Sequence, residues 1–204
     1  KIIQDMGFVS ILSQKSDKIV IFPRNKPFGT LFVIDKSEYN YLKERRITMN
    51  FNNFTIKAQE AVQEAVNLTQ AHNGQVIEPI HLLQAVMKVG ENVTKFIFQK
   101  LGVNGQQIAN VVALQIESLP KVSGGNPYLS RESNDVLQKA VQYSKEMGDE
   151  FVSIEPIILA LLVVKSTASS ILKDAGVSEK ELREAINELR KGERVTSQSS
   201  EETY

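Results

Sequence analysis

Apolar residues are spaced in two different ways along this chain. Between residues 1 and 48 they form short unbroken runs, Lys18-Ile19-Val20-Ile21-Phe22 and Gly29-Thr30-Leu31-Phe32-Val33-Ile34, separated by the breaker cluster Pro23-Arg24-Asn25-Lys26-Pro27. Runs of that length around such a cluster predict two strands joined as a short β-hairpin. From Thr55 onward the spacing changes to three and four. Ala58, Ala61, Val62, Ala65, Val66 and Thr69 make one stripe, and Ser133, Val136, Leu137, Ala140, Val141 and Ser144 repeat it 75 residues later. That period is the signature of amphipathic helices with one buried face.

The repetition extends beyond the first helix. Ile77-Glu78-Pro79-Ile80 is echoed by Ile154-Glu155-Pro156-Ile157, Leu101-Gly102-Val103 by Ala175-Gly176-Val177, and Ile108, Val111, Val112 and Gln115 by Leu182, Ala185, Ile186 and Leu189. Proline is favoured at the first helical position, so both Glu-Pro pairs predict a helix start with a carboxylate at the positive end of the dipole. The offset is 75 up to Val152, 77 at Glu155 and 74 at Gly176, which confines insertions and deletions to connections. The expected fold is all-α: two tandem four-helix repeats related by a pseudo-twofold. Helices are predicted over 55–72, 79–89, 92–101 and 104–119, then 130–147, 156–166, 168–175 and 178–191. Pro120 to Pro127, with Gly124-Gly125, reads as the linker between repeats.

These patterns divide the chain into residues 1–48, residues 49–191 (repeats at about 51–119 and 130–191), and a tail, 192–204. The tail, rich in serine and glutamate, carries too little apolar surface to pack and is expected to be a mobile linker. Residues 1–48 carry net charge +4 and lack an initiating methionine, while Met49 stands directly before the first repeat. Extra upstream sequence foreign to the fold is one reading of this segment, and a basic recruitment arm is the other. Asp5, Asp17 and Asp35 argue against a transit peptide.

Composition narrows the chemistry. Acidic and basic residues balance at 24 each, giving no electrostatic footprint for nucleic acid or a membrane surface. No apolar run approaches a transmembrane length, and the absence of cysteine excludes disulfides and thiolate metal sites while fitting a reducing compartment. His72 and His81 are the two histidines, too few to build a metal site without an acidic cluster beside them. No G-x-x-x-x-G-K-[ST] loop or G-x-S-x-G elbow is present, and nothing pairs a nucleophile with a base, so this stretch is not expected to be an enzyme. Two similar bundles side by side leave a seam suited to binding. Thr55, Asp149 and Glu155 could line it, or could serve simply as an N-cap, a turn residue and a dipole partner.

With both repeats and both Glu-Pro pairs in view, residues 49–191 resemble the Clp N-terminal domain, in the form carried by ATP-driven disaggregase chaperones. The residues that carry the resemblance are Phe54-Thr55 and its helix, His72 to Leu82, Leu101-Gly102-Val103, Leu119-Pro120, Gly148-Asp149-Glu150-Phe151 and Ile171 to Val177. The resemblance implies a mobile helical module that binds unfolded or aggregated polypeptide in a hydrophobic groove and passes it to an ATPase ring. The alternative is docking of a folded adaptor protein. It further implies a cytoplasmic AAA+ ATPase parent, homohexameric and working with an Hsp70-type system, whose ATP and Mg sites belong to other modules, with no cofactor in this stretch. Family positions tied to substrate handling match Thr55, Asp149 and Glu155. Tyr143 and Pro156 fall where the family places aliphatic groove residues, so they depart from its pattern. On this reading Asp149 and Glu155 form an acidic rim that favours clients with basic flanks.

Overall fold

The computed structural model describes the backbone of Ile2–Ile3, Phe8–Leu12, Lys18–Pro23 and Phe32–Asp35, and then residues 51–122 and 127–203. The chain forms two compact units, Lys1–Met49 and Asn50–Tyr204. In the first, β1 (Ile2–Ile3), β2 (Phe8–Leu12), β3 (Lys18–Pro23) and β4 (Phe32–Asp35) form an antiparallel sheet in the order β1-β2-β3-β4. The expected hairpin is β3 against β4, in register Lys18 with Asp35. Sequence reading missed β1 and β2, which turn the hairpin into a four-stranded meander. Most of the breaker cluster between β3 and β4 lies outside the described residues.

The second unit is all-α apart from two short pairings. Its helices are α1 (Ile56–Ala71), α2 (Pro79–Val89), α3 (Glu91–Lys100) and α4 (Gly105–Glu117), then α5 (Arg131–Met147), α6 (Ile154–Val163), α7 (Thr167–Asp174) and α8 (Glu179–Arg190). Local chemistry sets their ends. Thr55 and Ser130 cap α1 and α5, their hydroxyls accepting from Ala58 N at 3.1 Å and Ser133 N at 3.0 Å. Gly102 and Gly176 end α3 and α7 in the left-handed region, with φ of 66° and 92°. The Gly124-Gly125 part of the inter-repeat linker lies outside the described residues.

α2 and α6 form the centre. They pack on each other, and each packs on the first helix of its own half, α1 or α5. α6 buries Ile157, Ile158, Leu159, Ala160, Leu161 and Leu162 in succession, as a helix surrounded on all sides must. The pseudo-twofold is visible in the pairings. Ile77 pairs with Leu129 in a parallel ladder, and the partners 75 residues along, Val152 and Phe54, form a parallel bridge. Likewise the third helix of each half meets the fourth of the other, α3 with α8 and α4 with α7.

Two expectations need correction. The Glu-Pro pairs are not equivalent. Pro79 opens α2 with Glu78 as its N-cap, but α6 begins at Ile154 with Ser153 as N-cap, leaving Glu155 and Pro156 inside its first turn. The amides of a helix's first turn lack intrahelical partners, so proline fits at either place, and the true offset stays 75 through Ser153. The tail is also not a free linker. Lys191 and Gly192 are both left-handed, with φ of 50° and 82°, and they return the chain onto the bundle, where Val195 and Glu201 are buried. Among the described residues no single helix is long and apolar enough to cross a membrane.

Candidate functional site

The start of α6 gathers three of the five candidate residues around a cation that sequence reading passed over. Arg190, the last residue of α8, sends Nε to Glu155 Oε1 at 2.9 Å, Nη1 to Asp149 Oδ2 at 2.8 Å and Nη2 to Ser153 Oγ at 2.8 Å. All four residues are buried. Burial alone would push the Arg190 pKa down, but the Glu155 and Asp149 carboxylates more than offset it and push it up, so the guanidinium stays charged.

The tail completes the site. Glu150 N donates to Val195 O at 2.9 Å, Val195 N to Asp149 Oδ1 at 3.0 Å, and Ile56 N, the first amide of α1, to Gln198 O at 2.9 Å. Glu201 lies over the start of α6, where its carboxylate accepts from Ile154 N at 2.8 Å and from the Thr55 hydroxyl. Burial, followed by the charge of Glu155, pushes the Glu201 carboxyl up to about 7. Glu155 Oε2 is buried without a hydrogen-bond partner beside it.

Thr55, Asp149, Glu155 and Pro156 are thus brought together but enclosed. They do not present an acidic rim, because Arg190 neutralises Asp149 and Glu155 from within and the tail covers them. The preference for basic flanks loses its physical basis. Tyr143 is only 3% exposed, with Arg183 Cζ at 4.7 Å and Lys139 Nζ at 4.9 Å from its ring centre. Both cations cover its apolar face rather than leaving it open to a groove. An open cavity of about 390 Å³ lies elsewhere, between α4 and α7, lined by Val103, Ile108, Val111 and Ile171 among others, and it holds none of the five. Among the described residues no group of three or more histidine, aspartate or glutamate side chains is arranged to hold a metal ion.

The residues that sequence reading missed are Arg190, Ser153 and Glu201. A signal for Arg190 was present. With the structural offsets, Glu155 falls where the first half has Ile80, and Arg190 where it has Ile116, both buried apolar residues. Opposite charges replacing two core isoleucines at equivalent positions mark a built ion pair. Glu201 has no counterpart in the repeat, so internal comparison could not reveal it.

The sequence pattern of the Clp repeat (R) N-terminal domain matches residues 53–175. The chain belongs to the Clp repeat N-terminal domain family. It is 80% identical over 156 residues to the chaperone protein ClpB of Bacteroides thetaiotaomicron, a match covering 76% of this chain and 18% of that protein. This chain therefore spans about a fifth of the length of that curated relative. Among solved structures, the Hsp104 N-terminal domain from Candida albicans superposes with a TM-score of 0.67 at 22% identity, over 74% of this chain and 99% of that one. A ClpV N-domain in complex with a VipB peptide superposes with a TM-score of 0.58 at 16% identity, over 72% of this chain and 92% of that one. At such identities the two structures establish the shared Clp N-domain fold.

Proposed function

We propose that this Clp N-domain binds unfolded or aggregated polypeptide for an ATP-driven disaggregase chaperone, and that the binding surface is the start of α6 with Thr55, Asp149 and Glu155. The observation that carries this reading is that the domain already holds a non-helical segment of polypeptide there. Residues 195–201 are bound by main-chain hydrogen bonds, one apolar side chain and one carboxylate. Main-chain bonding is indifferent to sequence, which suits a receptor for many clients. The likeness to ClpB supplies the chaperone context, and the peptide carried by the ClpV N-domain shows a relative of the same fold engaging a peptide. Hexamer assembly, cooperation with an Hsp70-type system, ATP and Mg in other modules and a cytoplasmic location belong to the same proposal. Affinity is expected to be weak, because ordering an unfolded client offsets part of the gain from burial.

The test uses a variant that makes the second half like the first: Asp149→Gly, Glu155→Ile and Arg190→Ile together. Buried ion pairs exchanged for apolar residues of similar volume are often neutral or stabilising. The helical circular dichroism should persist while anisotropy of a labelled, permanently unfolded polypeptide shows binding to the parent chain and none to the variant. Equal binding by both, or by neither, overturns the reading.

Docking of a folded adaptor is the second reading. It is favoured by the cavity between α4 and α7 and by Leu114, 72% exposed on α4, and it predicts saturable binding of one native protein with indifference to unfolded chains.

A further inference from the structure

The two halves treat the same helix start in opposite ways. In the first half, Pro79 has no amide to satisfy. Glu78 supplies a carboxylate from within the helix cap, and the Ser130 hydroxyl bonds to it. In the second half, 75 residues on, Ile154 presents an amide, Ser153 replaces the glutamate and gives its oxygen to Arg190, and Thr55 stands where Ser130 does. The second half has therefore kept the donors of a carboxylate site and lost its own carboxylate. Glu201 fills the vacancy from 47 residues away.

We propose that the α6 start is a receptor for a carboxylate on an extended polypeptide, that residues 193–203 are its resident ligand, and that clients gain the site by displacing them. This deepens the polypeptide-binding reading above and rests on it for the clients alone. A helix N-terminus attracts anions in general. Here a second observation selects a ligand that brings a proton: Glu155 Oε2, fully buried, lacks a donor. A protonated Glu201 provides one, in keeping with its raised pKa. The charged and titratable groups around it are Glu155 from α6, Asp149 before that helix and Arg190 from α8, with the Thr55 hydroxyl from the α1 cap. Arg190 is already committed to both neighbouring carboxylates and Ser153, so ionised Glu201 would face Glu155 uncompensated. The receptor thus holds its ligand by hydrogen bonds more than by charge, and a ligand held so is exchangeable.

The experiment follows the Ile56, Glu150 and Ile154 amides by NMR in the 204-residue chain and in its Glu201→Ala variant. The variant's Ile56, Glu150 and Ile154 amides should exchange with solvent at least about tenfold faster, with α2 amides unchanged. A C-terminally amidated synthetic peptide copying residues 193–203, added in trans, should shift Ile56 and Ile154 in the variant and leave the parent silent. The same peptide carrying Glu201→Gln should bind more weakly, and one ending at position 201 as Gln with a free C-terminal carboxylate tests whether the anion can be terminal instead of a side chain. An unfolded polypeptide should bind the variant about tenfold more tightly than the parent. Should Glu201→Ala lose helicity, Val195→Asp, which lies outside every helix, repeats the test. Unchanged amide exchange, or a peptide that never binds the variant, overturns the receptor. Equal client affinity for parent and variant overturns displacement while leaving polypeptide binding intact. If neither binds a client but the peptide does bind, the polypeptide-binding reading falls and the receptor for the tail stands.

Discussion

The two halves share a backbone and differ in what they bury at one corner. The first fills it with Ile80 and Ile116 and closes the start of α2 with its own residues, Glu78 and His81 capping each other. The second places Glu155 and Arg190 there, adds Asp149 and Ser153, and leaves the start of α6 to be closed by the tail. A repeat unit that needed only to be stable had an apolar solution available, and the first half shows it. Buried ion pairs rarely improve on such a solution, so the second half's polar corner is better explained by recognition than by stability.

The largest test removes the cation alone. Arg190→Ala leaves Asp149 and Glu155 buried and unpaired, which should cost about 3–5 kcal/mol in denaturant unfolding. That is as much as truncating Ile116, expected at about 2–5 kcal/mol, although Arg190 contributes far less apolar contact. A loss below about 1 kcal/mol would mean water already reaches the corner, and the contrast between halves would dissolve.

Helix positions were legible because period and caps agree: α2 was placed to the residue, and α1 and α5 within one. The corner and the tail were not, for separate physical reasons. Proline marks a first turn without fixing its position in that turn, so aligning Pro79 with Pro156 hid the equivalence of Ile80 with Glu155. Composition averages over a segment, whereas the tail is held by main-chain groups, one valine and one carboxylate among polar residues that contribute little.

pH should separate the halves next, in opposite directions. His81, buried and bonded through Nδ1 to the Glu78 amide, is pushed down to about 4, chiefly by burial and then by His72. A depressed histidine binds its proton more readily when unfolded, so its contribution is present above about 6.5 and lost as pH falls through 4, by about 3 kcal/mol. Glu201 is raised to about 7, so tail docking is fully present below about 4.5 and is lost as pH rises through 7, by a similar amount. Global stability should fall in acid, and His81→Gln should flatten that fall. Exchange at Ile56 and Glu150 should accelerate from pH 4.5 to 7 beyond the intrinsic rate, and Glu201→Gln should abolish the excess. Parallel pH profiles in both readouts would contradict the assignment.

Smaller effects come from the left-handed residues at equivalent turns, Asn73 with φ of 56° and Gly148 with φ of 76°. Gly148→Ala adds a Cβ in a conformation that L residues avoid, 3.2 Å from Arg194 Nε in the tail, and should cost about 1–2 kcal/mol. Asn73→Gly relieves a mild penalty and should change stability by less than about 1 kcal/mol. Gly148→Ala should also loosen the tail, measured as faster exchange at Val195, whereas the Asn73 variant should leave that amide untouched.

The smallest expected effect concerns the two crossings between halves. Where α3 meets α8, Lys100 Nζ lies 2.7 Å from Glu188, both about half exposed; where α4 meets α7, the equivalent space is the open cavity. An exposed pair gains little because solvent screens it and two long side chains must be ordered to form it. Lys100→Met should therefore shift stability by no more than about 1 kcal/mol, with most of the difference gone in high salt. If the loss were several times larger and salt-insensitive, Lys100 would be holding the halves together, and the asymmetry between them would lie at their crossings as much as at the start of α6.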